Sequence, residues 1–89
     1  MVLTTFHFNT TNEALKNMAQ MAEFCGFSFT QQSSACGVET YQFNHTGDEF
    51  VGSVVIINTG NDSREVRIQT NKEHLIAIRM IIDRFNTQQ

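Results

Sequence analysis

Hydrophobic and polar positions alternate along much of this chain, and two stretches replace the alternation with a spacing of three and four. Val2, Thr4, Phe6 and Phe8 stand against Leu3, Thr5 and His7, a period of two that predicts an opening strand with an aromatic inner face. Ala14, Leu15, Met18, Ala19, Ala22 and Cys25 then recur at helical spacing, and Thr10 precedes Glu13 by three residues as in a capping box. A helix is expected over 11–25, stopped by Gly26, with Cys25 as a small core residue at its end. Phe27 to Thr30 predicts a short strand, and the Gln- and Ser-rich stretch 31–37 a polar, mobile loop. Val38 to Asn44 returns to alternation, with Tyr41 and Phe43 on one side and Thr40 and Gln42 on the other.

The most β-branched run is Val51 to Ile57, where Val and Ile fall on both alternating faces; it predicts a central strand with neither face built for water. Turns are expected at 45–48 and 58–62, the second leading into a strand over 63–69 with Val66 and Ile68 dry and Glu65, Arg67 and Gln69 wet. Thr70 and Glu73 repeat the capping-box spacing ahead of Leu75, Ile78, Ile82 and Phe85, a stripe widened by Ile76 and Ile81, so a second helix is expected over 71–86 and a fraying tail beyond it. The element order is β-α-β-β-β-β-α. That order predicts an α+β fold in one compact domain over 1–89, a mainly antiparallel sheet with both helices packed on one face. The other face is left uncovered, carrying either the Tyr41 and Phe43 set or its complement.

Charge narrows the function classes. Net charge is −3, and the six basic residues are dispersed rather than clustered, so the concentrated cationic surface that binds phosphate backbones is missing. Helix, three strands and helix is also the element order of a double-stranded-RNA-binding domain, but the second helix opens Asn71-Lys72-Glu73 and the 58–62 loop holds one acid and no base. Direct nucleic-acid binding is excluded on that ground. No basic n-region, signal-length apolar stretch or membrane-length run occurs, so a cytoplasmic protein without a membrane partner is expected. Cys25 and Cys36 are too few for a disulfide framework, and the Asn-x-Ser/Thr triplets at Asn9, Asn44 and Asn61 read as compositional accident. Cys25, Cys36, His7, His45 and His74 lack metal-ligand spacing, and no phosphate-binding glycine pattern occurs; no metal and no cofactor are expected.

A full fold without catalytic chemistry points to a non-enzymatic protein that acts by binding another protein, as a homodimer or as an inhibitor of a basic, nucleic-acid-binding host protein. By class-level analogy, compact acidic chains of this size occur among accessory proteins of phages and mobile elements, including those that block CRISPR effectors. On that reading Glu39, Asp48, Glu49, Asp62 and Glu65, together with Tyr41, are the candidate partner contacts. The alternative is a small cysteine-dependent enzyme or ligand-binding module that pairs Cys36, followed by Gly37, with His7, His45 or His74.

Overall fold

A computed structural model describes residues 3–46 and 49–86. The chain runs β1 (Leu3–Thr11), α1 (Asn12–Phe24), β2 (Phe27–Ala35), β3 (Val38–His45), β4 (Glu49–Asn58), β5 (Ser63–Asn71) and α2 (Lys72–Asn86). The expected α+β order is present, and the five strands form one antiparallel sheet in the order β1-β5-β4-β3-β2. Strands β2 to β5 follow one another as a meander, whereas β1 pairs with β5 at the far edge. Helix α1 therefore carries the chain from one edge of the sheet to the other. The first residues of the expected opening strand, Gly47 and Asp48 of the expected turn, and the tail at 87–89 lie outside the described residues.

Register settles which face the helices cover. Phe6 and Phe8 of β1 lie opposite Ile68 and Val66 of β5, which oppose Val54 and Ile56 of β4; Val54 in turn opposes Tyr41, and Phe43 opposes Phe29. These rows form the floor of the core together with Met18 and Ala22 of α1 and Ile78, Ile81 and Ile82 of α2. Tyr41 and Phe43 thus face the helices, and their complement lies outward: His7, Arg67, Val55 and Thr40 form one outward row, and Thr5, Gln69, Ser53 and Gln42 the next. The outward face is largely polar, with Val55 and Ile57 half-buried within it. Val51 to Ile57 is central, as expected, but its outward side is not the broad apolar surface its composition suggests.

Four local expectations need correction. The stretch 31–37 is not a loop: β2 continues to Ala35, and Cys36 and Gly37 make a two-residue turn with φ of 55° and 79°. Positive φ at both central residues is what a tight hairpin turn requires, and glycine reaches it without strain. The stretch is polar because β2 is an edge strand with its second half exposed on both faces. His45 belongs to β3 rather than to a turn. Gly26, at φ 100°, does follow the helix end, but Cys25 is exposed and is not a core residue. Ile76 does not widen the α2 stripe; it is 73% exposed.

Both helix caps sit one residue later than the capping-box spacing places them. Alternation persists to the ends of β1 and β5, so Thr10 and Thr70 take inward strand positions and are buried. The next residues do the capping: Thr11 Oγ1 accepts from Ala14 N at 3.1 Å, and Asn71 Oδ1 accepts from His74 N at 3.2 Å. Thr11→Ala is expected to cost about 1 kcal/mol of stability. Thr10→Val should be neutral or stabilising, because the Thr10 hydroxyl is buried without a hydrogen-bond partner and its removal relieves a desolvated polar group. Urea denaturation of the two variants checks both, and a Thr10→Val loss as large as that of Thr11→Ala would contradict the assignment.

Among the described residues no helix is long and apolar enough to cross a membrane.

Candidate functional site

Between α1 and the sheet the core is not filled. A cavity of about 380 Å³ opens there, floored by Phe8, Phe29, Phe43, Val54, Ile56, Val66 and Ile68, roofed by Leu15, Met18, Ala19 and Ala22, and closed on the α2 side by Ile78, Ile81 and Ile82. The reason is in the residue sizes. The floor is aromatic and β-branched, so it stands tall and uneven, while the α1 positions above it at 19 and 22 are alanines that reach only a short way down.

The polar groups of the cavity gather at one end. Thr10 at the end of β1 pairs with Arg64, Arg64 pairs with Asn58 at the end of β4, and Glu39 at the start of β3 pairs with Ile56. The first turn of α1 begins beside them, with Asn12 N donating to Asp62 O at 2.8 Å. Asn12 and Lys16, one helical turn apart, therefore share the mouth of the cavity with Arg64, Glu39 and Tyr41. Arg64 is held in place by Nη1, which donates to Ser63 O at 2.8 Å, to Asn58 Oδ1 at 3.3 Å and to Gly60 O at 3.4 Å.

Tyr41 donates its hydroxyl proton to Glu39 Oε1 at 2.6 Å. That hydrogen bond, then burial and then the negative charge of Glu39 hold the phenol ionisation above its ordinary value. A raised folded-state value means that the stabilisation is fully present below the unfolded phenol pKa of about 10 and is lost as pH climbs through the higher folded value. Since Tyr41 is the sole tyrosine, its near-ultraviolet phenolate absorbance reports it directly. Glu39→Gln is expected to move that titration to lower pH, and an unmoved midpoint would show that the pair does not persist in solution.

The residues singled out from sequence are not brought into one place. Glu39 and Tyr41 lie on the helix-covered face at the cavity mouth, whereas Glu65 lies on the open face in an ion pair with Arg67 Nη2 at 3.1 Å. Asp62 is exposed in the turn between β4 and β5; Glu49 occupies a strand position opposite His45, and Asp48 lies outside the described residues. The cysteine and histidine pairing is not assembled either. Cys36 and His45 stand at opposite ends of the β2–β3 hairpin, a span of about 20 Å or more at strand rise. His7 lies on β1, at the edge of the sheet away from β2. His45 and His74 do meet, with ring centroids 4.7 Å apart, beside Phe27. Both rings are committed to oxygen acceptors: His45 Nε2 donates to Cys25 O at 3.1 Å and His74 Nδ1 to Asn71 Oδ1 at 3.0 Å. Among the described residues no group of three or more His, Cys, Asp or Glu could hold a metal ion.

Comparison with protein-family models, curated proteins and solved structures finds no match to this chain. The site therefore rests on its own geometry. Sequence reading missed the cavity and its two cations, Lys16 and Arg64. The available signal was the pair of alanines, Ala19 and Ala22, in a helix stripe set above a Phe-rich sheet.

Proposed function

We propose that this chain is a non-enzymatic binding protein whose functional site is the cavity between α1 and the sheet, and that it takes up a small molecule with an apolar body. The observation that carries this reading is a preformed apolar space of about 380 Å³ whose few polar groups converge on one end. That size falls at the lower end of the range of about 300 to 1,000 Å³ found for small-molecule sites, which share the same apolar lining and sparse polar groups. Inhibition of a basic partner through Glu39, Asp48, Glu49, Asp62 and Glu65 gains no support from the geometry, because Glu39 and Glu65 face opposite sides of the sheet. An acid–base or thiol reaction gains none either, since Cys36 stands far from His45 and His74.

Ala19 is the position that tests the reading. It lines the roof of the cavity and is half-buried, so Ala19→Phe sends a ring into the space without displacing a large side chain. Titration with an environment-sensitive apolar dye is expected to show saturable binding to the parent protein and a loss of at least about tenfold, ~1.4 kcal/mol, in the variant. The melting temperature should hold or rise as the void fills. Equal dye affinity in a well-folded Ala19→Phe variant would sink the proposal.

A further inference from the structure

The polar end of the cavity is electrically lopsided, and this indicates what the bound molecule carries there. Five side chains with polar atoms line that end: Asn12, Lys16, Glu39, Tyr41 and Arg64. Glu39 and Tyr41 are occupied with each other through the 2.6 Å hydrogen bond. Lys16 and Arg64 are not matched in this way. Among the described residues neither has a carboxylate within ion-pair distance, and the hydrogen bonds of Arg64 all leave from Nη1, so Nε and Nη2 are left to donate elsewhere. Of the acids near them in sequence, Glu13 and Asp62 are exposed and do not line the cavity, and Glu65, next to Arg64, pairs with Arg67 on the open face.

We infer that the site takes an amphipathic anion, a small aliphatic or aromatic carboxylate whose chain lies among Phe29, Phe43, Ile56 and Val66 and whose head sits between Lys16 and Arg64. This rests on the cavity being the binding site. Three features converge on a carboxylate. A guanidinium already fixed through one nitrogen offers the remaining donors in a planar fork that suits two oxygens. Lys16 adds a second, flexible cation from the opposite wall. The head also lies at the N-terminal end of α1, where the helix dipole favours negative charge. Glu39 opposes an anion, but its Oε1 already accepts the Tyr41 proton, and two cations face its one charge. A cationic head would instead meet Lys16 and Arg64 with only Glu39 to offset them.

Three probes of equal chain length separate the outcomes: decanoate, decanol and decyltrimethylammonium, each titrated calorimetrically into the parent protein, Lys16→Gln, Arg64→Gln and the double variant. Decanoate is expected to bind the parent tighter than decanol by at least about tenfold, the scale of one hydrogen bond to a charged group. The double variant should bring decanoate down to the affinity of decanol while leaving decanol unchanged. Lys16 is exposed on α1 and Arg64 helps to hold the β4–β5 turn, so Lys16→Gln keeps the test valid should Arg64→Gln loosen that turn. If decanol binds as tightly as decanoate, or decyltrimethylammonium binds best, the anion inference is overturned and the cavity reading stands. If none of the three binds, both are overturned.

Discussion

Gly52→Ala is expected to abolish the cooperative fold. A Cβ at residue 52 would lie 1.8 Å from Gln69 O, 2.9 Å from Gln69 C and 3.0 Å from Thr70 Cα, and all three are backbone atoms of β5. No side chain can swing aside to relieve such a clash; β4 and β5 would have to part at the centre of the sheet. Gly52 sits beside a bulge, where the β3–β4 register slips between Phe43 and Asn44 and the extra residue, Val51, is fully buried. The strand distortion that seats Val51 in the core brings the backbone of β4 against that of β5. Domains hold only ~5 to 15 kcal/mol in total, and a chain this short sits toward the lower end, where a loss above ~4 kcal/mol removes most of it. The same substitution at Gly60 supplies the control. A Cβ there meets only the Ser63 side chain, at 3.7 Å, so a change within ~1 kcal/mol is expected. Far-ultraviolet circular dichroism with urea melts compares the two, and a Gly52→Ala protein that melts like its parent would show that the two strands are not so close.

Phe43→Ala should be the most damaging side-chain truncation. Phe43 is 2% exposed and stands between Phe27, with ring centroids 6.0 Å apart in an edge-on arrangement, and Phe29, at 5.8 Å. Removing a buried ring costs about 3 to 5 kcal/mol, from lost transfer energy and from the void left behind. The void here is continuous with the cavity, since Phe43 is part of its floor. An apolar ligand at a hundredfold excess over its dissociation constant should therefore restore about 2.7 kcal/mol to the variant. Phe24→Ala removes the same ring at an 89% exposed site and should shift stability by no more than ~0.5 kcal/mol. Thermal melts of both variants with and without ligand check the pair. A Phe43→Ala protein that no apolar ligand stabilises would detach this residue from the site.

Most of the fold was legible because it depends on periodicity. The shift from period two to period three and four located both helices, and connection lengths forced the β2 to β5 meander. What could not be read depended on partners remote in sequence. Thr10 and Thr11 are chemically alike, and only the pairing of Thr10 with Arg64 places the first of them inward and leaves the second to cap. The Gln- and Ser-rich half of β2 resembles a loop because an edge strand exposed on both faces has no need of apolar residues. Sequence names Tyr41 as a candidate partner contact but leaves it on an undetermined face, since a one-residue change of register reverses every side chain in a strand. The cavity was missed for a different reason: the alanines at 19 and 22 hint at a short roof, but a void is the difference between two surfaces, and sequence shows each surface alone. Lys16 and Arg64 reach one mouth only because α1 returns across the sheet to stand over the start of β5.

The crossing of α1 also bears on the order in which the sheet closes. Strands β2 to β5 are joined by short turns, so each ladder among them closes a small loop at little entropic cost. The β1–β5 ladder is different: Leu3 meets Asn71 only after the entire meander lies between them. Rates fall as contacts become less local, which makes the docking of β1, with α1 trailing behind it, the natural closing step. During synthesis β1 emerges ahead of its partner β5 by the whole meander, so it waits longest for its place in the sheet. Phe8 belongs to β1, and Leu15, Lys16 and Ala19 to α1, so the roof, one wall of the floor and one of the two cations arrive together. Until then there is no enclosed space to occupy, and a molecule bound there holds in place the part of the chain that came home last.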